Sequence, residues 1–197
     1  ALLKVERVLL NLLSHMSGVA TATAELVKIA KKEGSSTRIA CTRKTLPGLR
    51  HFEKRAVELG GGDTHRLRLD DAVLIKENHL ELAGSITETV KRAKAKVSFT
   101  RKIEVEATSP EQAVEAGLAG ADIVLLDNMM PQEVKRSVRL LEAKKLRDRI
   151  LVEVSGGITR ENLASYVQTS VDVISVGSIT NSARAIDMSL ELHSLKR

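Results

Sequence analysis

Cationic and anionic side chains stand at the ends of short apolar runs in this sequence, and their types suit chemistry on a multiply charged anion. Thr42-Arg43-Lys44-Thr45 ends the run 38–42, His65 and Arg66 follow three glycines, and Lys76-Glu77-Asn78-His79 ends the run 72–76. Arginine forks and lysine point charges match carboxylate and phosphate oxygens, each charge-assisted hydrogen bond contributing roughly 1.5–3 kcal/mol net. Further along stand Glu104 and Glu106, then Asp127-Asn128. Ionised carboxylates in such places can hold Mg²⁺, accept from sugar hydroxyls or stabilise a developing cation, and residue type leaves all three open. Ser155-Gly156-Gly157 and Gly177-Ser178 expose backbone N–H groups, a device that barrels use for a monophosphate. Cations, carboxylates and Gly-rich turns together point to a phosphorylated sugar.

These residues need elements to bring them together. Six short apolar or β-branched runs (38–42, 72–76, 102–106, 123–127, 150–154 and 171–176) alternate with helical periods, which is a βα rhythm. Runs such as Ile123-Val124-Leu125-Leu126 are apolar on both faces, as parallel strands wrapped by helices must be. Ser109-Pro110-Glu111-Gln112 reads as an N-cap, a first-turn Pro and a capping-box Gln, and Thr159 before Arg160-Glu161-Asn162 reads similarly. Val5, Val8, Leu9, Leu12, Leu13 and Met16 predict a leading helix that stops at Ser17-Gly18, widened by Leu2, Leu3 and Leu10, with a second helix over 19–32. A doubly wound sheet or a (β/α) barrel fits this alternation. Because every strand end is polar or Gly, rather than one switch point alone, the barrel is favoured.

Composition narrows the class. The 197 residues form one domain, 43% apolar and 28% charged, which excludes disordered and low-complexity chains. With Phe52, Phe99 and Tyr166 as the only aromatics, the core must be aliphatic and base-stacking platforms are nearly absent. No nucleic-acid partner is therefore expected, although the net charge of +6 keeps a basic RNA-binding or scaffold role as an alternative. Cys41 is the sole cysteine, so no internal disulfide forms, a reducing cytoplasmic setting is expected, and the side chain reads as a small buried hydrophobe. No apolar run approaches a membrane span.

The segments Thr42-Arg43-Lys44-Thr45-Leu46-Pro47-Gly48-Leu49-Arg50, Gly60-Gly61-Gly62-Asp63-Thr64-His65-Arg66 and Leu74-Ile75-Lys76-Glu77-Asn78-His79 together resemble the signature of quinolinate phosphoribosyltransferases, the carboxylating nicotinate-nucleotide pyrophosphorylases. The resemblance continues through Glu104-Val105-Glu106, Leu126-Asp127-Asn128, Ser155-Gly156-Gly157-Ile158 and Ser175-Val176-Gly177, in the family's order over nearly the whole chain. It implies an incomplete α/β barrel that transfers ribose 5-phosphate from phosphoribosyl pyrophosphate to quinolinate with Mg²⁺, releasing pyrophosphate and CO₂. By the same resemblance Arg43, Lys44, His65 and Arg66, with Thr42, would hold the quinolinate carboxylates, and Lys76 would contact phosphoribosyl pyrophosphate or lie near the reacting centre. Glu106 and Asp127 would face ribose and metal, and Ser155, Gly156, Gly157, Gly177 and Ser178 would bind the 5-phosphate. Arg7 matches an arginine that reaches a neighbouring subunit's site, which implies a homodimer or larger homo-oligomer. The family's N-terminal domain is expected to be missing from residues 1–197. Glu77, where the family often has Asp, and Cys41 before Thr-Arg-Lys are small departures.

Several residues also have ordinary readings. His15, His51 and His193 read as helix residues, His79 as a cap or a ligand, and Glu104 ranks below Glu106 as a site residue. A nicotinate-using phosphoribosyltransferase is the nearest enzyme alternative, distinguished by whether the second carboxylate matters.

Overall fold

The computed structural model describes residues 2–193, the side chain of Leu2 excepted. The order is α1 (Leu2–Lys32), β1 (Arg38–Ala40), α2 (Arg50–Leu59), β2 (Val73–Ile75), α3 (Glu77–Ala83), α4 (Ile86–Lys96) and β3 (Ile103–Ala107). It continues with α5 (Pro110–Ala119), β4 (Ile123–Asp127), α6 (Pro131–Ala143), β5 (Leu151–Ser155), α7 (Leu163–Val167), β6 (Val173–Ser175) and α8 (Ser178–Asn181). All six expected strands are present, each within a residue or two of its expected limits.

The strands form one parallel sheet in the order β1-β6-β5-β4-β3-β2. Its two edges, β1 and β2, are consecutive in the chain, and the segment between them begins to fill the gap. Asp63 bridges Ala40 in parallel: its N–H donates to Ile39 O (2.7 Å), and its carbonyl accepts from Cys41 N (3.0 Å). Residues from both edge strands' ends line one cavity, so the sheet curls into the incomplete barrel expected.

Period-two alternation divides the barrel into two layers. Val105, Val124, Leu126, Val152, Val154 and Ile174 are buried in the aliphatic core with the covering helices. Their neighbours Glu104, Glu106, Leu125, Asp127, Glu153, Ser155 and Ser175 line the interior cavity. At the opposite end, aspartates complete the ladder: Asp122 accepts from Ile103 N (2.8 Å) and Asp172 from Val152 N (2.7 Å), with Arg147 on Asp172 at 2.9 Å.

Three local expectations change. The break at Ser17-Gly18 does not occur, and α1 runs unbroken through it. Gly18 serves close packing rather than a turn, since an added Cβ would run into the carbonyl oxygen of Arg184. The first strand ends at Ala40 rather than Thr42, because the Thr42 hydroxyl accepts from Lys44 N (3.0 Å) and turns the chain out of the ladder. Thr159 opens a turn, its N–H donating to Asn162 Oδ1 (2.8 Å), and α7 starts only at Leu163. Ser109 does cap α5, accepting from Gln112 N at 3.2 Å, while the Gln112 side chain accepts from Thr108 N (2.8 Å).

Candidate active site

The strand ends converge on a cavity of about 340 Å³, within the usual range for a small-molecule site. One wall carries Thr42, Arg43 and Lys44 from the turn after β1 and Arg66 from the segment entering β2. The other carries Glu106 from β3 and Asp127 from β4, with Ser155 beyond them.

The turn after β1 is fixed at every point. Thr180 donates its hydroxyl to Lys44 O (2.7 Å), and Arg50 donates to Thr45 Oγ1 (2.9 Å) and Arg43 O (3.3 Å). Fully buried Glu53 accepts from Leu46 N (3.1 Å) and pairs with His15 of α1 at 2.7 Å, so His15 has a more particular part than an ordinary helix residue. Held by its carbonyl, Arg43 keeps a buried Nε that has no partner among the described residues. An unsatisfied buried guanidinium N–H is costly in the chain alone and suits a carboxylate oxygen. Lys54, also buried, donates to Thr64 O and lies 3.5 Å from Cys41 Sγ. Burial lowers the Lys54 pKa and raises that of Cys41, each shift moderated by the other group.

On the acidic wall, Lys76 Nζ lies 2.8 Å from Glu106 Oε2. Asn128, in the left-handed region at φ 54°, gives its backbone N–H to Ser155 O (2.9 Å) and its amide to Asp127 Oδ2 (2.6 Å). Burial, and then the charge of Glu106, raise the Asp127 pKa, with the Asn128 hydrogen bond and then Lys76 and Lys44 opposing. Two hard oxygen donors in mutual repulsion are a donor set that fits Mg²⁺. Gly156, at φ 97°, packs so closely on Asn128 that a Cβ would overlap its Oδ1.

Behind the basic wall His65, an expected site residue, meets two buried carboxyl groups, Glu104, which the sequence ranks below Glu106, and Glu153, which it does not single out. His65 Nε2 is 3.2 Å from Glu153 Oε2 on β5 and 3.7 Å from Glu104 Oε2 on β3. Burial, then the charge of Glu153, raise the Glu104 pKa to about 7. For His65, burial opposes the charged ring, but the hydrogen bond and charge of Glu153 with the charge of Glu104 outweigh it and raise the pKa. The resemblance gives His65 to a substrate carboxylate, whereas the structure gives Nε2 to Glu153 and makes Nδ1 the acceptor for Arg66 N (2.8 Å). Glu153 was legible in outline: it is the one charge inside the run Ile150-Leu151-Val152-Glu153-Val154 and shares parity with Ser155.

Of the expected residues, Thr42, Arg43, Lys44, His65, Arg66, Lys76, Glu106, Asp127 and Ser155 share the cavity lining. Gly156, Gly157, Gly177 and Ser178 are not among its lining residues: Gly177 lies under Lys44 and Thr42, and Ser178 faces a groove beside α1. Arg7 is exposed on α1 and is not among the lining residues. His79 caps α3, its Nδ1 accepting from Lys76 N at 2.9 Å.

A curled parallel α/β sheet with a strand-end cavity divided between cations and carboxylates defines a barrel built to receive anionic substrates. Residues 19–191 match the model of the quinolinate phosphoribosyl transferase C-terminal domain, and the chain belongs to that family. It is 52% identical over 195 residues to the probable nicotinate-nucleotide pyrophosphorylase [carboxylating] of Methanothermobacter thermautotrophicus, covering 99% of this chain and 70% of that protein. The human nicotinate-nucleotide pyrophosphorylase [carboxylating] is 44% identical over 97% of this chain and 64% of its own length. Among solved structures, the nicotinate-nucleotide pyrophosphorylase of Francisella tularensis superposes with a TM-score of 0.88 at 42% identity, covering 95% of this chain and 64% of that one. The chain thus spans about two thirds of the length of these relatives.

Proposed function

We propose that this barrel carries the active site for phosphoribosyl transfer from phosphoribosyl pyrophosphate to the ring nitrogen of quinolinate, with decarboxylation to nicotinate mononucleotide. The observation that carries the reading is the shared cavity. Arg43, Lys44 and Arg66 stand on one wall, Glu106 and Asp127 on the other, and Lys76 reaches the acidic wall.

In this reading Thr42, Arg43, Lys44 and Arg66 receive the two carboxylates and fix the pyridine nitrogen toward the anomeric carbon, with His65 behind them. Departure of pyrophosphate builds positive charge on the ribose, which Glu106 and Asp127 stabilise by standing in place before the charge develops. Lys76, half-exposed while its partner Glu106 is largely buried, can turn its flexible ammonium from Glu106 to the leaving phosphates. Ser155, which lines the cavity, takes the 5-phosphate, with the Gly156-Gly157 turn that follows it and Gly177, which lies against Lys44 and Thr42, at the cavity's edge, while Ser178 faces away. Glu106 and Asp127 would hold Mg²⁺, whose chemistry when bound is to neutralise charge on the pyrophosphate. Once the ring nitrogen is quaternised, the electrons of the C–CO₂⁻ bond stay on the carbon beside N⁺. That carbon then takes a proton, so positioning is the main demand on the protein.

A homo-oligomer belongs to the same reading. Leu3, Val5, Val8, Leu9, Leu12 and Leu13 are exposed on the first half of α1 around Arg7, an apolar surface suited to a second copy that would receive Arg7. The test is release of CO₂ from carboxyl-labelled quinolinate by folded protein. Release only with both phosphoribosyl pyrophosphate and Mg²⁺ is expected, and release independent of phosphoribosyl pyrophosphate, or none, contradicts the proposal.

A further inference from the structure

We infer that Glu153, with Glu104 beside it, is a positioning residue that acts through the His65 ring to aim Arg66 into the basic half of the cavity. The inference rests on the proposed function, because it assigns that half to a dicarboxylate.

Two acidic side chains buried at the base of an anion-receiving wall give the ligand no attraction, and repel it wherever they are ionised. Their placement therefore needs a purpose other than direct contact, and the hydrogen bonds supply one. Glu153 on β5 can only accept, so the bond to His65 Nε2 requires the proton there. Although the nearby carboxylates raise the pKa of the ring, the Arg66 N–H at 2.8 Å from Nδ1 needs a bare nitrogen there, which only the neutral Nε2–H form supplies. The two bonds select the same tautomer. An Nδ1–H ring would lose both, because Nδ1–H would face the Arg66 N–H and bare Nε2 would face the carboxylates.

This link acts at one point of a segment held on either side, by Lys54 on Thr64 O before it and by Asp71 Oδ2 on Leu67 N after it. His65 is in the left-handed region at φ 51°, unfavourable for a residue with a Cβ. It is held at its start by Asp63, whose Oδ1 accepts from His65 N at 2.7 Å, and at its end by the ring's bond to the Arg66 amide. The only bond from the Arg66 guanidinium within the described residues is a long one to Ala72 O (3.5 Å), so its direction depends on the backbone that His65 anchors together with the charges of Glu104 and Glu153. Because His65 sits between edge strands β1 and β2 while Glu153 is on β5, the bond ties the gap to the far side of the barrel. Glu104, whose Oε2 is 3.7 Å from the same Nε2 and whose Oε1 has no partner among the described residues, stands beside Glu153.

The experiment compares Glu153→Gln, which keeps an acceptor for Nε2–H, with Glu153→Leu, which has similar bulk and no acceptor. Binding of quinolinate and of phosphoribosyl pyrophosphate is measured separately, and the His65 ring nitrogens are followed by ¹⁵N NMR in the free protein. Glu153→Leu is expected to weaken quinolinate binding about tenfold or more while phosphoribosyl pyrophosphate stays within about twofold, the scale of one lost oriented hydrogen bond. Glu153→Gln is expected to restore acid binding to within about threefold and to keep the Nε2–H tautomer. Equal weakening of both substrates, or acid binding unchanged in Glu153→Leu, overturns the inference. Should Glu153→Leu not fold, the spectra decide: an Nδ1–H tautomer, or a ring protonated on both nitrogens at the pH of the binding measurements, in the unaltered protein or in Glu153→Gln overturns it. If the unaltered protein binds no quinolinate, the proposed function fails, and the spectra still judge the Glu153–His65–Arg66 link.

Discussion

Arg43 and Glu104 show how single side chains are prepared for work by what they lack. Arg43 has a buried Nε without a partner among the described residues, so in the proposed function a substrate carboxylate would complete that bond. Arg43→Ala is expected to lower kcat/KM for the acid about 10- to 100-fold, corresponding to roughly 1.5–3 kcal/mol, with the Tm little changed. A full loss of fold with no separable kinetic effect would place Arg43 in the scaffold instead. Glu104 faces Glu153, His65, Arg66 and Lys76, and burial holds its pKa at about 7 against an ordinary 4.5. Between those values the folded protein keeps a proton that the unfolded chain has released, so this group's contribution is full below about pH 4.5 and lost as pH rises toward 7. Glu104→Gln cannot ionise. Its stability relative to the unaltered protein, measured by urea unfolding without metal or substrate, is therefore expected to increase from pH 5 to pH 7.5, and a constant difference would contradict the assignment.

At the scale of elements, one end of the strands carries chemistry and the other carries stability. Asp172 accepts Val152 N–H and Arg147 at the end away from the cavity. Asp172→Ala is expected to destabilise the fold by about 1–3 kcal/mol and to leave quinolinate affinity unchanged, as checked by denaturant unfolding and titration. This division explains what the sequence made legible. The six strands were visible because β-branched runs between capped helices admit few other arrangements, and the ring of polar strand ends favoured a barrel. Gly18 was misread because a glycine needed for close contact with Arg184 has the same letter as one that ends a helix. Glu153 was passed over because a lone charge inside an apolar strand declares its partner only when His65, 88 positions away, arrives across the barrel. The bond from His65 Nδ1 to the Arg66 amide had no sequence signal at all, since it depends on a left-handed backbone at a non-glycine residue.

Over the whole molecule, a basic wall and an acidic wall are brought together by curling an open sheet, and α1 presents apolar side chains outward from the same barrel. If that helix face meets a second copy, Leu9→Glu with Leu13→Glu is expected to convert a dimer or larger species to monomer in light scattering after gel filtration. An unaltered protein that is monomeric at assay concentration would remove the partner's Arg7 from the site. The central claim, that the two walls serve one dicarboxylate and one activated pentose together, is tested most directly by a crystal structure with quinolinate bound. The account predicts the pyridine ring between Arg43 and Arg66, both carboxylates on the basic wall and the nitrogen facing Glu106 and Asp127. A dicarboxylate bound outside this cavity, or with its carboxylates turned to Glu106 and Asp127, would contradict it.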